Sequence, residues 1–438
     1  MQIIGLSGLI TPSLDEMITV AQEMEKRGMK NPLLIGGATT SKAHTGIKIA
    51  PHYGEPIVRV GDASLVVGVC NQLLNPDKKQ AYIEELNAGY VKVRERFAAS
   101  QGKGNDLINF EDAVKKRYQT DWEQYKIPVP KKLGITVLDS VDLELVSNYI
   151  DWSPFFWTWE LKGSYPSILT HKKYGAQATE LFKDAQVLLK DVIKNKRFHL
   201  RACYGFFPAN QVGEDIEVYD TQNPEKKIAT FACLRQQKQK VGDDDTYYNM
   251  SDFIAPKDTG KRDYIGGFAV TAGMELEHYA NSFKDKGDDY NAILIQALGD
   301  RFAEALAELI HKRARDEWSI AGSEGFAFTE KPNGDQVDAM VKEKYQGIRP
   351  AAGYPCCPDH TEKGVLWDLL NAKENTTIEL TSSYAMNPPS SVSGTYFSHP
   401  DSKYFSVGKI NEEQLKNYAE RKKIPLEEAE RWLRPNLG

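Results

Sequence analysis

The sequence predicts two architectures in one chain: an α/β N-terminal part built on a parallel sheet, then an α+β domain with an antiparallel sheet and long helices. Three observations carry that expectation. Over roughly the first hundred residues, short apolar runs alternate three times with helical stretches, and such alternation implies parallel strands with right-handed crossovers. Later strand-like runs follow one another without an intervening helix, as antiparallel strands do. Finally, 438 residues exceed one ordinary core, so roughly two or three domains are expected.

The first strand reads as Ile3-Ile4-Gly5-Leu6, followed by the small, hydroxyl-bearing Ser7-Gly8-Leu9-Ile10-Thr11. A helix then starts at Ser13, with Glu16 three residues on as a capping box. Leu14, Met17, Ile18, Ala21 and Met24 form its apolar stripe, and Gly28 ends it. The pattern recurs as strand Pro32-Leu33-Leu34-Ile35, loop Gly36-Gly37-Ala38-Thr39-Thr40 and a short helix over 41–49. It recurs again as strand Pro56-Ile57-Val58-Arg59-Val60, loop Gly61-Asp62 and a helix over 63–74. Three such units make an incomplete Rossmann-like sheet, so the chain reads as starting partway through a domain. Ligands of open α/β sheets sit outside the carboxyl ends of the strands. Three successive strand ends without a bulky side chain suit a large flat group, although Gly and Ser are also what tight turns use. No phosphate-binding GxxxxGK[ST] loop is present.

A long charged helix is expected over 77–98 and a linker over 99–105, which sets domains at 1–98 and 99–438, with 99–150 as a connecting arm. Asp151 heads the aromatic run Trp152-Ser153-Pro154-Phe155-Phe156-Trp157-Thr158-Trp159, and is placed to cap a turn or helix. A helix follows over 176–194, then strands over 201–207, 215–219, 228–234 and 264–271, with a hairpin near Asn223-Pro224. The most regular helix spans 289–318. Ile295, Leu298, Phe302, Ala305 and Leu309 share its apolar face; Asp300, Glu304, Glu308 and His311 fall opposite, where periodicity alone predicts a solvated face rather than a metal cluster. Two C-terminal helices begin at Asn411, with Gln414 three on, and at Pro425.

Composition narrows the classes. Hydrophobic residues make up 41% and charged residues 26%, as in soluble globular proteins. A net charge of -6 with interspersed signs gives no case for nucleic acid. No apolar run approaches the roughly 18 residues of a membrane span, and the N-terminus lacks the basic start of a signal peptide. Five scattered cysteines point to reduced thiols and the cytoplasm, and adjacent Cys356 and Cys357 are badly spaced for structural zinc.

The chemistry concentrates in Arg349-Pro350-Ala351-Ala352-Gly353-Tyr354-Pro355-Cys356-Cys357-Pro358. Three prolines exclude helix interior and central strand. Arg349 offers a planar fork to a carboxylate or phosphate, Gly353 lets a ligand approach the backbone, and Tyr354 adds a flat face. A second small-residue stretch, Ser391-Val392-Ser393-Gly394-Thr395-Tyr396-Phe397-Ser398-His399-Pro400, carries an aromatic pair; His399 lacks a partner motif that would make it catalytic.

These stretches, with Gly5 to Ser13, Leu34 to Thr40 and Asp151-Trp152, together resemble the C-terminal portion of the cobalamin-dependent methionine synthase family. The resemblance covers the second half of a cobalamin-binding domain and the whole S-adenosylmethionine-binding activation domain. It implies that Ser7, Thr11 and Ala63 line the pocket for the corrin's tail, that Gly36 and Gly37 give clearance, and that Tyr354 faces the corrin. It implies S-adenosylmethionine against Asp151, Glu304, Glu343, Arg349, Tyr396 and Phe397, which sets aside the purely solvated reading of Glu304. Its carboxylate calls for Arg349, and its amino group and sulfonium for acids. Ala352 stands where the family usually has proline, Cys356 where a small residue is usual, and Thr395 where an aromatic is expected.

The family's cobalt-ligating histidine motif, zinc-binding homocysteine domain and folate domain are not in this chain, so no metal ligand is expected here; because the cofactor carries the chemistry of remethylation, no side-chain acid–base catalyst is expected either. The implied activity is that of 5-methyltetrahydrofolate–homocysteine methyltransferase, in methionine biosynthesis. This region would bind cobalamin and S-adenosylmethionine and reductively remethylate cob(II)alamin to methylcobalamin, with flavodoxin or a related reductase as electron donor. Two alternatives stay open: a stand-alone corrinoid-binding or reactivating subunit of another methyltransferase, and a non-enzymatic S-adenosylmethionine-binding module.

Overall fold

A computed structural model of the chain describes residues 2–8, 13–37, 39–61, 65–101, 107–240, 242, 245–322 and 324–438, with the backbone alone over 97–101. The chain forms two compact units, residues 1–107 with 427–438, and residues 108–426.

The first unit holds the expected parallel sheet. Strands β1 (Ile4–Ser7), β2 (Leu33–Gly36) and β3 (Ile57–Arg59) lie in the order β1-β2-β3. Helix α1 (Ser13–Lys26) turns Met17, Ala21 and Met24 onto Leu33, Ile35 and Ile57. Its charges follow the helix dipole, with Asp15 and Glu16 in the first turn and Lys26 in the last. Gly28, at φ 63°, stops it. The other sheet face buries Leu34, Val58 and Val60 against Leu73 of α2 (Val66–Leu74). Between β2 and β3 the short helix starts from Ser41, whose hydroxyl accepts the His44 N–H, and widens to π geometry over Thr45–Ile49. The long charged helix α3 (Pro76–Gln101) docks by Tyr90, whose hydroxyl donates to the Ile57 carbonyl at 2.9 Å. Arg434 returns to pair with Asp15.

The second unit is organised by one antiparallel sheet of six strands. Strand β5 (Leu200–Val212) is long enough to pair with β4 (Gly134–Val141) along its first half and with β6 (Asp215–Tyr219) along its second. The arm expected over 99–150 thus supplies a strand. β7 (Lys227–Phe231) continues from β6 through the turn at Asn223, and on the other side β8 (Asp263–Thr271) and β9 (Ser391–Tyr396) complete the order β9-β8-β5-β6-β7.

Both sheet faces are covered, which is why β5 and β8 read as nearly continuous apolar runs. Ala202, Tyr204, Phe206, Phe268 and Val270 point to the larger core, under α4 (Ser153–Thr158), α5 (Gly175–Asn195), α6 (Met274–Lys284) and α7 (Asp289–Glu317). Cys203, Phe207, Ala209, Ile265 and Ala269 point to a second core shared with Leu366, Trp367 and Leu370. The latter lie on α9 (Glu362–Leu370), which follows the short α8 (Gly334–Val341). Helix α10 (Glu412–Lys422) starts where expected, with Asn411 accepting the Gln414 N–H.

The first unit's smallest residue contact yields a test. Gly37 has φ 101°, and a Cβ there would stand 2.2 Å from the Gly8 carbonyl oxygen. Gly37→Ala is expected to destabilise this unit by about 2 kcal/mol or more, whereas Gly36→Ala, meeting nothing closer than 3.9 Å, changes it by under about 1 kcal/mol. Hydrogen exchange at the β1 and β2 amides reads the difference.

Candidate functional site

The proline-rich run 349–358 is irregular, and backbone bonds hold both its ends. Ile348 and Phe397 exchange two hydrogen bonds at 3.1 Å each, and the Thr395 N–H donates to the Pro350 carbonyl at 2.9 Å. The run therefore leaves the sheet beside the end of β9. Further on, the Cys357 N–H closes a turn onto the Tyr354 carbonyl at 2.9 Å. Gly353 has φ 92°, and a Cβ on it would lie 2.3 Å from the His360 ring. The room that the sequence reading assigns to an approaching ligand is thus filled by the protein's own imidazole. Tyr354 projects outward, 64% exposed.

Arg349 is fixed from several sides. Its backbone N–H donates to the Tyr404 hydroxyl at 3.0 Å. Its Nη1 lies 2.6 Å from Glu308 Oε2, 3.0 Å from the Tyr345 hydroxyl and 3.2 Å from His311 Nδ1. Burial opposes the guanidinium charge, but the Glu308 carboxylate outweighs it and raises the pKa further. His311 lies flat on Tyr396, centroids 5.0 Å apart at 4°, and Tyr396 lies on Phe268 at 4.8 Å and 11°. Burial and then the cations Arg315 and Arg349 push the His311 pKa well below the usual range. The ring is neutral, and because Arg349 can only donate, Nδ1 accepts and the proton sits on Nε2.

This geometry corrects the helix reading. Asp300 and Glu304 are exposed as expected, but Glu308 is largely covered and His311 is 2% exposed. The cause is the chain after α7, which folds back over it. Arg315 makes paired bonds to Glu324 at 2.7 and 2.8 Å, and its guanidinium stacks 3.8 Å from the Tyr345 ring. Helical period records one buried face; it cannot record a second layer arriving from 30 residues downstream.

Tyr396 is buried, and its hydroxyl has no hydrogen-bond partner. The Phe397 ring belongs to the second core. Glu304 faces solvent, close enough for its charge to act on Arg349 and Tyr354. Glu343, exposed at φ 52° after α8, acts on Tyr404. Asp151 caps the turn into α4, accepting the Ser153 N–H at 2.9 Å. Arg349, Glu304 and Tyr396 thus share one neighbourhood, which Glu343 enters through Tyr404, while the contact of Asp151 is local. Sequence reasoning missed Tyr345, Tyr404 and the inward role of Glu308 and His311. Their only signal was the i,i+3 spacing of Glu308 and His311, which a solvated face shares. His399 is structural: its ring bonds to Thr120 at 3.0 Å and accepts the Asp401 N–H at 3.1 Å.

In the first unit, Ser7 is exposed at the end of β1, opposite Gly36 in the parallel register. The clearance at Gly37 is taken by Gly8, whereas a Cβ on Gly36 would meet only the Leu6 and Val60 carbonyl oxygens, at ordinary contact distance. Thr11 and Ala63 lie outside the described residues.

A family model described as vitamin B12 dependent methionine synthase, activation domain, matches residues 142–423. The chain belongs to this family. It is also similar to a solved structure, the crystal structure of the MetH reactivation domain bound to AdoHcy. The two are 45% identical with a TM-score of 0.71, over 76% of this chain and 99% of that chain. The family match takes in α7, the 349–358 run and β9, the elements that carry the Arg349 cluster.

One pH effect follows for the activation domain. Burial and the neighbouring Lys363 lower the His360 pKa to about 4, and Lys363 donates to its Nδ1 at 3.1 Å. The unfolded chain takes up a proton near 6.5 and the folded one only near 4. Stability is therefore lost as pH falls from 6.5 to 4, by about 3 kcal/mol at most. His360→Asn should flatten that part of a plot of denaturation free energy against pH; an unchanged slope would mean the folded ring is charged.

Proposed function

We propose that the second unit binds S-adenosylmethionine beside Arg349 and that the chain is part of a cobalamin-dependent methionine synthase. In this reading it serves the reductive remethylation of the cofactor. The observation that carries the reading is a fixed guanidinium, whose Nε and Nη2 make no hydrogen bond among the described residues, in a domain 45% identical to a relative solved with AdoHcy. Arg349 takes the ligand carboxylate as a planar fork. Glu304, Glu343 and Asp151 supply the negative charge that suits an ammonium and a sulfonium. Tyr396 and Phe397, whose rings are buried on opposite faces of the sheet, would meet the ligand through the strand that carries them, and Tyr354 is exposed for the face of the corrin.

The described residues of the first unit fit a flat group at the strand ends. Ser7 offers a hydroxyl there, and a Cβ on Gly36 would meet only the carbonyl oxygens of Leu6 and Val60, at 3.9 and 4.0 Å. Cobalamin, when bound, supplies the methyl-accepting metal. The protein's part is to hold the sulfonium methyl in line and keep water away while S-adenosylhomocysteine leaves. Flavodoxin or a related reductase would supply the electron, in the cytoplasm. Methyl transfer from methyltetrahydrofolate to homocysteine is proposed for the whole enzyme and not for this chain alone. Among the described residues no helix is long and apolar enough to cross a membrane.

Titration calorimetry tests the binding. Wild-type protein should release heat with S-adenosylmethionine, and Arg349→Ala should lose at least about tenfold in affinity, the minimum for a charged bidentate contact. No heat with the wild type, or full affinity in the variant, rejects the site.

A further inference from the structure

The hydrogen bonds of Arg349 are distributed unevenly. A guanidinium offers five N–H groups in one plane. Among the described residues, its side-chain contacts all come from Nη1: an ion pair with Glu308 at 2.6 Å and hydrogen bonds to Tyr345 and His311 at 3.0 and 3.2 Å. Nε and Nη2 make none, and they are not among the sealed, unpartnered polar atoms. The Nε–Nη2 edge is the one that pairs side-on with a carboxylate.

The groups that contact Nη1 are themselves packed in place. Glu308 and His311 stand on α7, where the flanking Ala307, Leu309 and Ile310 are buried. The Tyr345 ring is held between the Arg315 guanidinium at 3.8 Å and the edge of His311 at 5.1 Å. Glu308 also keeps Oε1 buried without a hydrogen bond, 3.9 Å from Arg315 Nη1, which is unpartnered too. A buried oxygen left unbonded costs about 1–3 kcal/mol, so stability alone does not account for this arrangement.

We infer that Glu308 is a positioning residue: with Tyr345 and His311 it pins Nη1 of Arg349 and so presents the Nε–Nη2 edge, already oriented, to the carboxylate of the bound ligand. This rests on the ligand reading given under Proposed function. Orientation fixed in advance removes the ordering cost from binding. The pairing also cancels the guanidinium's net charge locally, which favours a singly charged carboxylate recognised by shape over a multiply charged phosphate.

The test compares two ligands that differ only by that carboxylate, S-adenosylmethionine and decarboxylated S-adenosylmethionine, by calorimetry on the whole chain. Glu308→Asp keeps the charge and withdraws it by about 1.5 Å. It should weaken S-adenosylmethionine about tenfold, one charge-assisted bond, and decarboxylated S-adenosylmethionine by less than about twofold. Tyr345→Phe removes one acceptor, keeps the ring under Arg315, and should act in the same direction by about threefold. It decides the matter if Glu308→Asp does not fold. Equal losses for both ligands, or no loss for either, overturn the inference while leaving the site in place. Wild-type protein that binds neither ligand overturns the site reading and this inference with it.

Discussion

The ion pair between Arg349 and Glu308 joins the two halves of the candidate site. One partner lies on a proline-stiffened run with no regular structure, the other on a buried helix, and 2.6 Å separates their charged atoms. Neither would be tolerated alone, because a charge left unpaired in such surroundings costs several kcal/mol. The pair therefore sets where the run sits on α7. Tyr345 and His311 add neutral contacts that settle its orientation, and Tyr404 holds the backbone of the same arginine. A residue whose main chain and side chain are both pinned is a rigid element in an otherwise irregular segment.

The sheet of the second unit makes this possible. Helices cover one face, and the layer around α9 covers the other, so β9 has a defined position at the edge of β8. The 349–358 run takes its start from that edge through Ile348 and Phe397. Tyr396, on the same strand, stacks between Phe268 of the sheet and His311 of α7. Strand, loop and helix thus meet at three flat rings, a geometry that leaves little freedom to the groups around them. Neutral His311 is well suited here, since a protonated ring would repel Arg349.

Much of the fold was legible in the sequence. Strands β6, β7 and β8 and helices α1, α5 and α7 were visible within a few residues, because their periodicity or apolar runs are set by local burial; of β5 only the half up to Phe207 was visible, the part past Pro208 that pairs with β6 being missed. Gly28, Ser41 and Asn411 marked helix ends through capping and left-handed turns. Strand β4 was missed although Ile135-Thr136-Val137-Leu138 suits a strand: its burial alternates only weakly at the sheet edge, and it lies in a segment that otherwise reads as a polar arm. The site divides likewise. Arg349 in its run could be singled out from residue type, and Asp151 could be read as a turn cap, but its place against a ligand came only from the family resemblance.

What no reading of period could provide was the second cover on α7. Glu308 and His311 occupy positions that, taken along the helix, belong to solvent. Only the return of residues 320–349 across that face places Glu324 on Arg315, Tyr345 beneath it, and Arg349 on Glu308. Gly353 shows the same limit, its missing side chain answering to His360 seven residues away. By itself the sequence determined the strands, the helices and their ends, since these depend on neighbours three or four positions apart. The tertiary structure decided which charges would be inside, because burial of a surface already satisfied locally depends on which distant segment comes to lie on it.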